Sequence, residues 1–137
     1  MLSTADYETI AAFRYTLRGF LAFSDAASAR LGVTQQQYQA LLAMKTHPGP
    51  APLTVSGLAA LLLIKHHSTV GMVDRLARLG MVRREASPGD RRKVALRLTA
   101  KGVRTIAKLA AVHRAELHRI APDFARYMVY LARPVRG

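Results

Sequence analysis

The sequence contains no cysteine, which excludes disulfide stapling, thiolate nucleophiles, thiol redox sensing and zinc sites built on cysteine. Acidic residues are scarce, eight Asp and Glu in 137 positions, and they are scattered singly. No pair of placed carboxylates is available for acid–base chemistry. A glycine-rich phosphate loop, a nucleophile elbow and a metalloprotease motif are also missing, so the chain does not read as an enzyme and calls for no cofactor. Long apolar runs are absent too. The longest, Val55 to Ile64, is ten residues bracketed by Thr54 and Lys65, about half of the roughly 20 that a membrane span requires. It reads as a buried helix, with no membrane role. Met1 to Asp6 is polar and lacks the basic start and apolar core of a secretion signal, which sets the expectation of a cytoplasmic protein.

What is present is positive charge. Lys and Arg number 21 for a net charge of +13 and an isoelectric point near 11.3, with Arg the commoner of the two. A polyanionic partner is the first expectation, because the planar guanidinium suits phosphate oxygens and guanine edges. Half of the residues are apolar, enough for one core, and the length suits a single domain over 1–137.

Along the chain, Ile10, Phe13, Leu17, Phe20 and Leu21 recur at helical spacing from Tyr7 until Leu31 and Gly32. Thr34 with Gln37 forms a capping box, with Val33 placed to staple onto Tyr38, so a second helix is predicted over about Gln35 to Thr46. Prolines 48, 50 and 52 make the next stretch a loop. Thr54 caps a short helix to about Leu63, and another covers roughly His66 to Leu79 before Gly80. A hairpin follows: Met81 to Glu85, a turn through Ser87, Pro88 and Gly89, and a return strand whose apolar Val94, Leu96 and Leu98 alternate with Ala95 and Arg97. Thr99 opens a long helix with the stripe Val103, Ile106, Ala110, His113, Leu117 and Ile120. Pro122 suits the first turn of a separate last helix carrying Phe124, Met128 and Leu131. The fold class is mainly α: a winged helix-turn-helix over 35–100 with a two-stranded wing, flanked by helices over 1–34 and 101–137 that dimerise. Between residues 65 and 104 there are 11 Lys or Arg against 3 acids.

These stretches resemble the MarR family of bacterial transcriptional regulators over nearly the whole chain. Leu53, Thr54 and Val55 with Leu58 and Ala59 resemble the family's first motif helix. Ser68, Thr69 and Val70 with Val73 to Leu76 resemble its recognition helix, and Gly80 to Arg84 its exit. Asp90, Arg91 and Arg92 with Leu98, Thr99, Ala100, Lys101 and Gly102 match its wing and wing exit. Two positions depart: Leu63 stands where the family often has a turn glycine, and Lys65 and His66 where a capping Ser and a Pro are frequent. The resemblance implies a homodimeric regulator, acting as a repressor, that reads a pseudo-palindromic operator in double-stranded DNA. It also implies that the aspartate of the wing, Asp90, holds Arg92 for the minor groove, where negative potential rewards a guanidinium. Family members are often released by small aromatic or phenolic acids, and Arg14, Arg18 or Lys45 could answer such an effector.

With Thr69, Met72, Val73 and Leu76 facing the core, the opposite face of the recognition helix carries His67, Gly71, Asp74 and Arg78, flanked by Val70 and Arg75. Val70 could touch a thymine methyl, and His67 or Arg75 a base edge. Lys65, His66 and Ser68 lie near the helix start, with Lys65 and Ser68 suited to phosphates, as are Arg91 and Lys93 on the wing. Gly71 either admits a close backbone approach or is merely tolerated. Asp74 would be repelled by phosphates unless paired, and Arg78 one turn on is its expected partner. The five histidines lack the spacing of a metal site, and His113 fits an interior hydrogen-bonded role. The alternative is a winged-helix docking module without DNA binding; a neutral or acidic wing would favour it, and this wing is basic.

Overall fold

Most helix starts are set by side chains that the sequence puts beside them. The computed structural model describes residues 1–136, in the order α1 (Thr4–Arg30), α2 (Gln35–Thr46), α3 (Val55–Leu62), α4 (His66–Arg78), β1 (Val82–Ser87), β2 (Asp90–Leu98) and α5 (Ala100–Leu131). Thr34 and Gln37 close the capping box of α2: the Gln37 N–H donates to Thr34 Oγ1 at 3.0 Å and the Thr34 N–H to Gln37 Oε1 at 2.9 Å. Thr54 accepts from the Gly57 N–H at 3.1 Å, and Thr99 from the Gly102 N–H at 3.0 Å. Each such bond satisfies an N–H that the helix itself leaves open, and removing the side chain costs about 1 kcal/mol. α1 starts three residues before the first periodic side chain, because Ser3 and Asp6 make a second box, with the Ser3 N–H on Asp6 Oδ2 at 2.7 Å and the Asp6 N–H on Ser3 Oγ at 3.2 Å.

By the density of contacts the chain divides into two compact units, residues 1–27 with 110–137, and residues 28–109. The second unit is built on Leu41, Leu58, Val73, Leu76 and Leu109, all fully buried. α3 and α4 form the helix-turn-helix, and β1 and β2 the antiparallel wing. In the first unit His113 is buried and hydrogen-bonded to Ser24 Oγ at 2.8 Å, with the Phe20 and Phe23 rings edge-on to it. Phe13 meets Phe124 at 5.6 Å between ring centres, and Tyr127 shares a 3.0 Å hydrogen bond with Thr16.

Three expectations are corrected. The predicted last two helices are one: Pro122 lies inside α5 rather than at a new start. Its ring removes a single N–H, and both Pro122 and His118, whose carbonyl loses its partner, are exposed, so the freed carbonyl lies on a residue open to solvent and the cost of the proline is reduced. The return strand does not alternate cleanly. Ala95 is fully buried, whereas Val94 is 40% exposed. The cause is a third backbone segment running along β2: the Leu96 N–H donates to the Leu53 carbonyl at 2.8 Å and Thr54 bridges Ala95, so this alanine is covered by main chain. The third, the partner of Asp74, belongs to the site below.

The turn from α3 to α4 uses the conformation that a glycine would supply. Leu63 has φ +56 and is 92% exposed. A left-handed leucine costs about 1–2 kcal/mol, offset here because the Leu63 and Ile64 N–H groups reach the Ala60 and Ala59 carbonyls at 3.4 and 3.2 Å and close the helix end. At the junction of wing and α5, Gly102 is obligatory for a different reason: a Cβ there would lie 2.2 Å from the Met81 carbonyl oxygen. That oxygen already accepts the Thr99 N–H at 3.0 Å.

Candidate nucleic-acid interface

α4 presents two faces, as its spacing requires. Thr69, Met72, Val73 and Leu76 are buried, and Lys65, His66, His67, Ser68, Val70 and Arg75 are exposed. Gly71 is half-buried, and the atom nearest to a Cβ built on it is the Arg75 Nη2 at 4.0 Å, so the missing side chain gives the guanidinium room to lie across the helix. The cap position, Lys65, makes no side-chain bond to the helix start. The first N–H groups of α4, with their partial positive charge, are thereby left for an external acceptor.

The wing is irregular where its charge is. Val82 to Ala86 pair one to one with Leu98 to Val94, and then Ser87 pairs with Asp90, so Arg91, Arg92 and Lys93 have no opposite residue on β1. The three cations therefore project from a bulge at the tip, and all are exposed. Asp90 Oδ1 accepts the Arg92 backbone N–H at 3.0 Å and its Nε–H at 3.3 Å. The two bonds, the backbone one foremost, hold the Asp90 carboxyl below its ordinary value. Arg92 itself is 91% exposed at its side chain, so the aspartate orients the guanidinium without sequestering it.

Asp74 does not pair with Arg78. Its carboxylate is bonded to Arg84 Nη1 of β1, because the first wing strand packs along α4 and offers a cation across the chain, nearer than the one a turn later on the helix. A cleft of about 140 Å³ next to this pair gathers His66, Val70 and Asp74 of α4, Arg84 of β1, and Arg92 and Lys93 of β2. Recognition helix and wing thus share one basic surface. On the other wing face Glu85 lies between Arg83 and Arg97, which are paired across the strands, with Arg97 Nε at 3.0 Å.

A MarR family profile matches residues 31–93, and a protein assigned to transcriptional regulation of the hcr operon in Thauera aromatica is 31% identical over 96 residues, 70% of this chain. Residues 31–93 belong to the MarR family. It spans 56% of the length of that Thauera relative. Among solved structures, Rv1404 of Mycobacterium tuberculosis is 27% identical with a TM-score of 0.71, covering 89% of this chain and 82% of its own. The MarR regulator AbsC of Streptomyces coelicolor superposes at 0.74 with 22% identity over 98% of this chain and 85% of its own. MosR of M. tuberculosis, solved in complex with DNA, superposes at 0.64 with 24% identity over 89% and 91%. The last two likenesses speak for the fold.

The candidate effector residues fall in different units. Arg14 and Arg18 lie one turn apart and exposed on α1, in the first unit. Lys45 lies in the last turn of α2, in the second, beside a pocket lined by Met44, Pro52 and Leu98. Among the described residues no group of three His, Asp or Glu side chains could hold a metal ion, and no helix is long and apolar enough to cross a membrane. Arg84 was missed as a site residue. The period of two along β1 was the available signal, since it sets Arg84 on the side of the buried Val82.

Proposed function

We propose that this chain is a MarR family, sequence-specific DNA-binding transcriptional regulator that works as a homodimer. The observation that carries the reading is Arg92, exposed at the wing tip, held by Asp90, and on the same surface as the polar face of α4. A guanidinium fixed on a projecting tip suits the narrow minor groove, while His67, Val70 and Arg75 would read base edges in the adjoining major groove. Lys65, His66, Ser68, Arg91 and Lys93 would meet phosphates, and Gly71 would let the helix backbone approach. MosR, a protein of similar fold, is solved in complex with DNA, which supports DNA as the partner.

Dimerisation is proposed on exposed apolar side chains of the first unit: Ile10, Leu21, Val112, Leu117, Met128 and Leu131 are all about 40% exposed or more. A solitary chain would hold this much apolar surface in water, and a second copy removes it. The dimerising segments are taken as 1–34 and 101–137, and the DNA-binding lobe as 35–100. Two-fold symmetry then demands a pseudo-palindromic operator with half-sites about one helical turn apart. Occupying such a site blocks its use by other proteins, which makes repression the expected outcome. A small aromatic or phenolic acid, met by Arg14, Arg18 or Lys45, would act as the releasing effector. The test is selection of DNA fragments from a random pool by the purified protein. Enrichment of an inverted repeat supports the proposal, and a pool without sequence enrichment overturns it.

A further inference from the structure

The unit formed by residues 28–109 contains three acids, Asp74, Glu85 and Asp90, and each is bonded to an arginine of the wing. No acid is left there for the cations of α5. Lys101, Arg104 and Lys108 are spaced by three and four residues, which stacks them along one side of the helix over about 10 Å. None of the three has an ion-pair partner among the described residues. Like charges a turn apart repel, at a cost of a few tenths of a kcal/mol per pair, and core packing does not require them, because all three side chains are exposed.

These cations line a concavity of about 390 Å³ whose apolar part is made by Leu31, Leu79 and Met81. Lys101 is anchored: its Nζ donates to the Leu79 carbonyl at 2.7 Å, capping the C-terminal end of α4. Arg104 and Lys108 keep all their donors available. The pocket therefore combines an apolar floor, a fixed ammonium, and two cations free to close on a ligand. Its volume lies in the range of small-molecule sites. It sits against the end of α4, whereas the DNA-facing candidates other than Arg75 occupy the earlier turns of that helix and the wing tip.

We propose that this pocket binds a small organic polyanion, a molecule with two or more phosphate or carboxylate groups. The ligand would span Arg104 and Lys108 and rest its body on Leu31, Leu79 and Met81. The proposal does not depend on DNA recognition.

Calorimetric titration of the full-length protein with tripolyphosphate and with citrate tests it, the two probes separating phosphate from carboxylate sources of the same chemistry. At least one should bind with one site per chain. The double variant Arg104→Ala/Lys108→Ala should weaken that binding at least tenfold with an unchanged thermal midpoint, and Lys108→Arg should retain it. Amide shifts on binding should centre on Leu31, Leu79 and Met81. Binding that survives the double variant, that is lost instead on changing Arg91 and Arg92 of the wing, or that is undetectable for both probes at millimolar concentration overturns the assignment.

Discussion

Replacing Gly102 by alanine isolates one packing contact. In an ordinary helix interior the change stabilises by about 1 kcal/mol, since alanine loses less backbone entropy. Here the new Cβ would lie 2.2 Å from the Met81 carbonyl oxygen and 3.3 Å from Leu98 Cδ2. The first obstacle is backbone, and it is also the acceptor of the Thr99 N–H, so relief requires moving the exit of α4 or the start of α5. Overpacking of this kind costs about 1–3 kcal/mol, and loss of the Thr99 bond adds about 1. Set against the helical gain, a net destabilisation of about 1–3 kcal/mol is expected, a fall in Tm of roughly 4–10 °C for a chain of this size. Gly71→Ala is the control within the same unit. Its Cβ would meet only the flexible end of Arg75 at 4.0 Å, so this variant should gain up to about 1 kcal/mol. Urea and thermal unfolding at a fixed protein concentration measure both, and equal shifts for the two variants would refute the steric argument.

Further outcomes follow from the same structure. Leu117→Asp should give a 15 kDa monomer in sedimentation at micromolar concentration and lose operator binding with it, because a charge is placed in the proposed interface; a persistent dimer contradicts that interface. Asp74→Ala should cost at most about 1 kcal/mol of stability, as expected of a half-exposed ion pair, yet lower operator affinity by freeing Arg84 and the first wing strand. The charge exchange Asp74→Arg/Arg84→Asp should restore part of that affinity, and no recovery at all refutes a positioning role. The Asp90 carboxylate is bonded in the folded state and its pKa lowered from 3.8, so its contribution to wing order is complete above that value and is lost as pH falls through the lowered one. In amide NMR, Arg92 should report this titration, Asp90→Asn should abolish it, and Arg92→Ala should raise the midpoint only partly, since the backbone bond is the larger cause.

The elements that sequence located well are those with local signals. The Thr34 to Gln37 box marks the start of α2 at Gln35, and the spacing of Thr69, Met72, Val73 and Leu76 identifies the buried face of α4. Asp90 and Arg92 lie two residues apart, so their contact needs only the turn. Two of the errors were long-range. Arg84 reaches Asp74 because β1 packs along α4, and Ala95 is buried because Leu53 and Thr54 pair with β2. Neither encounter is encoded in a window of sequence. Pro122 misled because its exclusion from helix interiors weakens where the freed carbonyl faces water. The Ser3 and Asp6 box was local and legible, but it precedes the apolar pattern used to place α1.

Operator affinity of Arg92→Ala against wild type, titrated over a salt series on a selected inverted repeat, tests the central claim most directly. A guanidinium inserted into the minor groove predicts a severe loss on A·T-flanked sites, at least tenfold, with unchanged folding. Arg91→Ala and Lys93→Ala should weaken binding uniformly across sequences, each making the salt slope shallower by about one unit. Wild-type affinity in Arg92→Ala would contradict the account and return the wing to the status of a solvated hairpin.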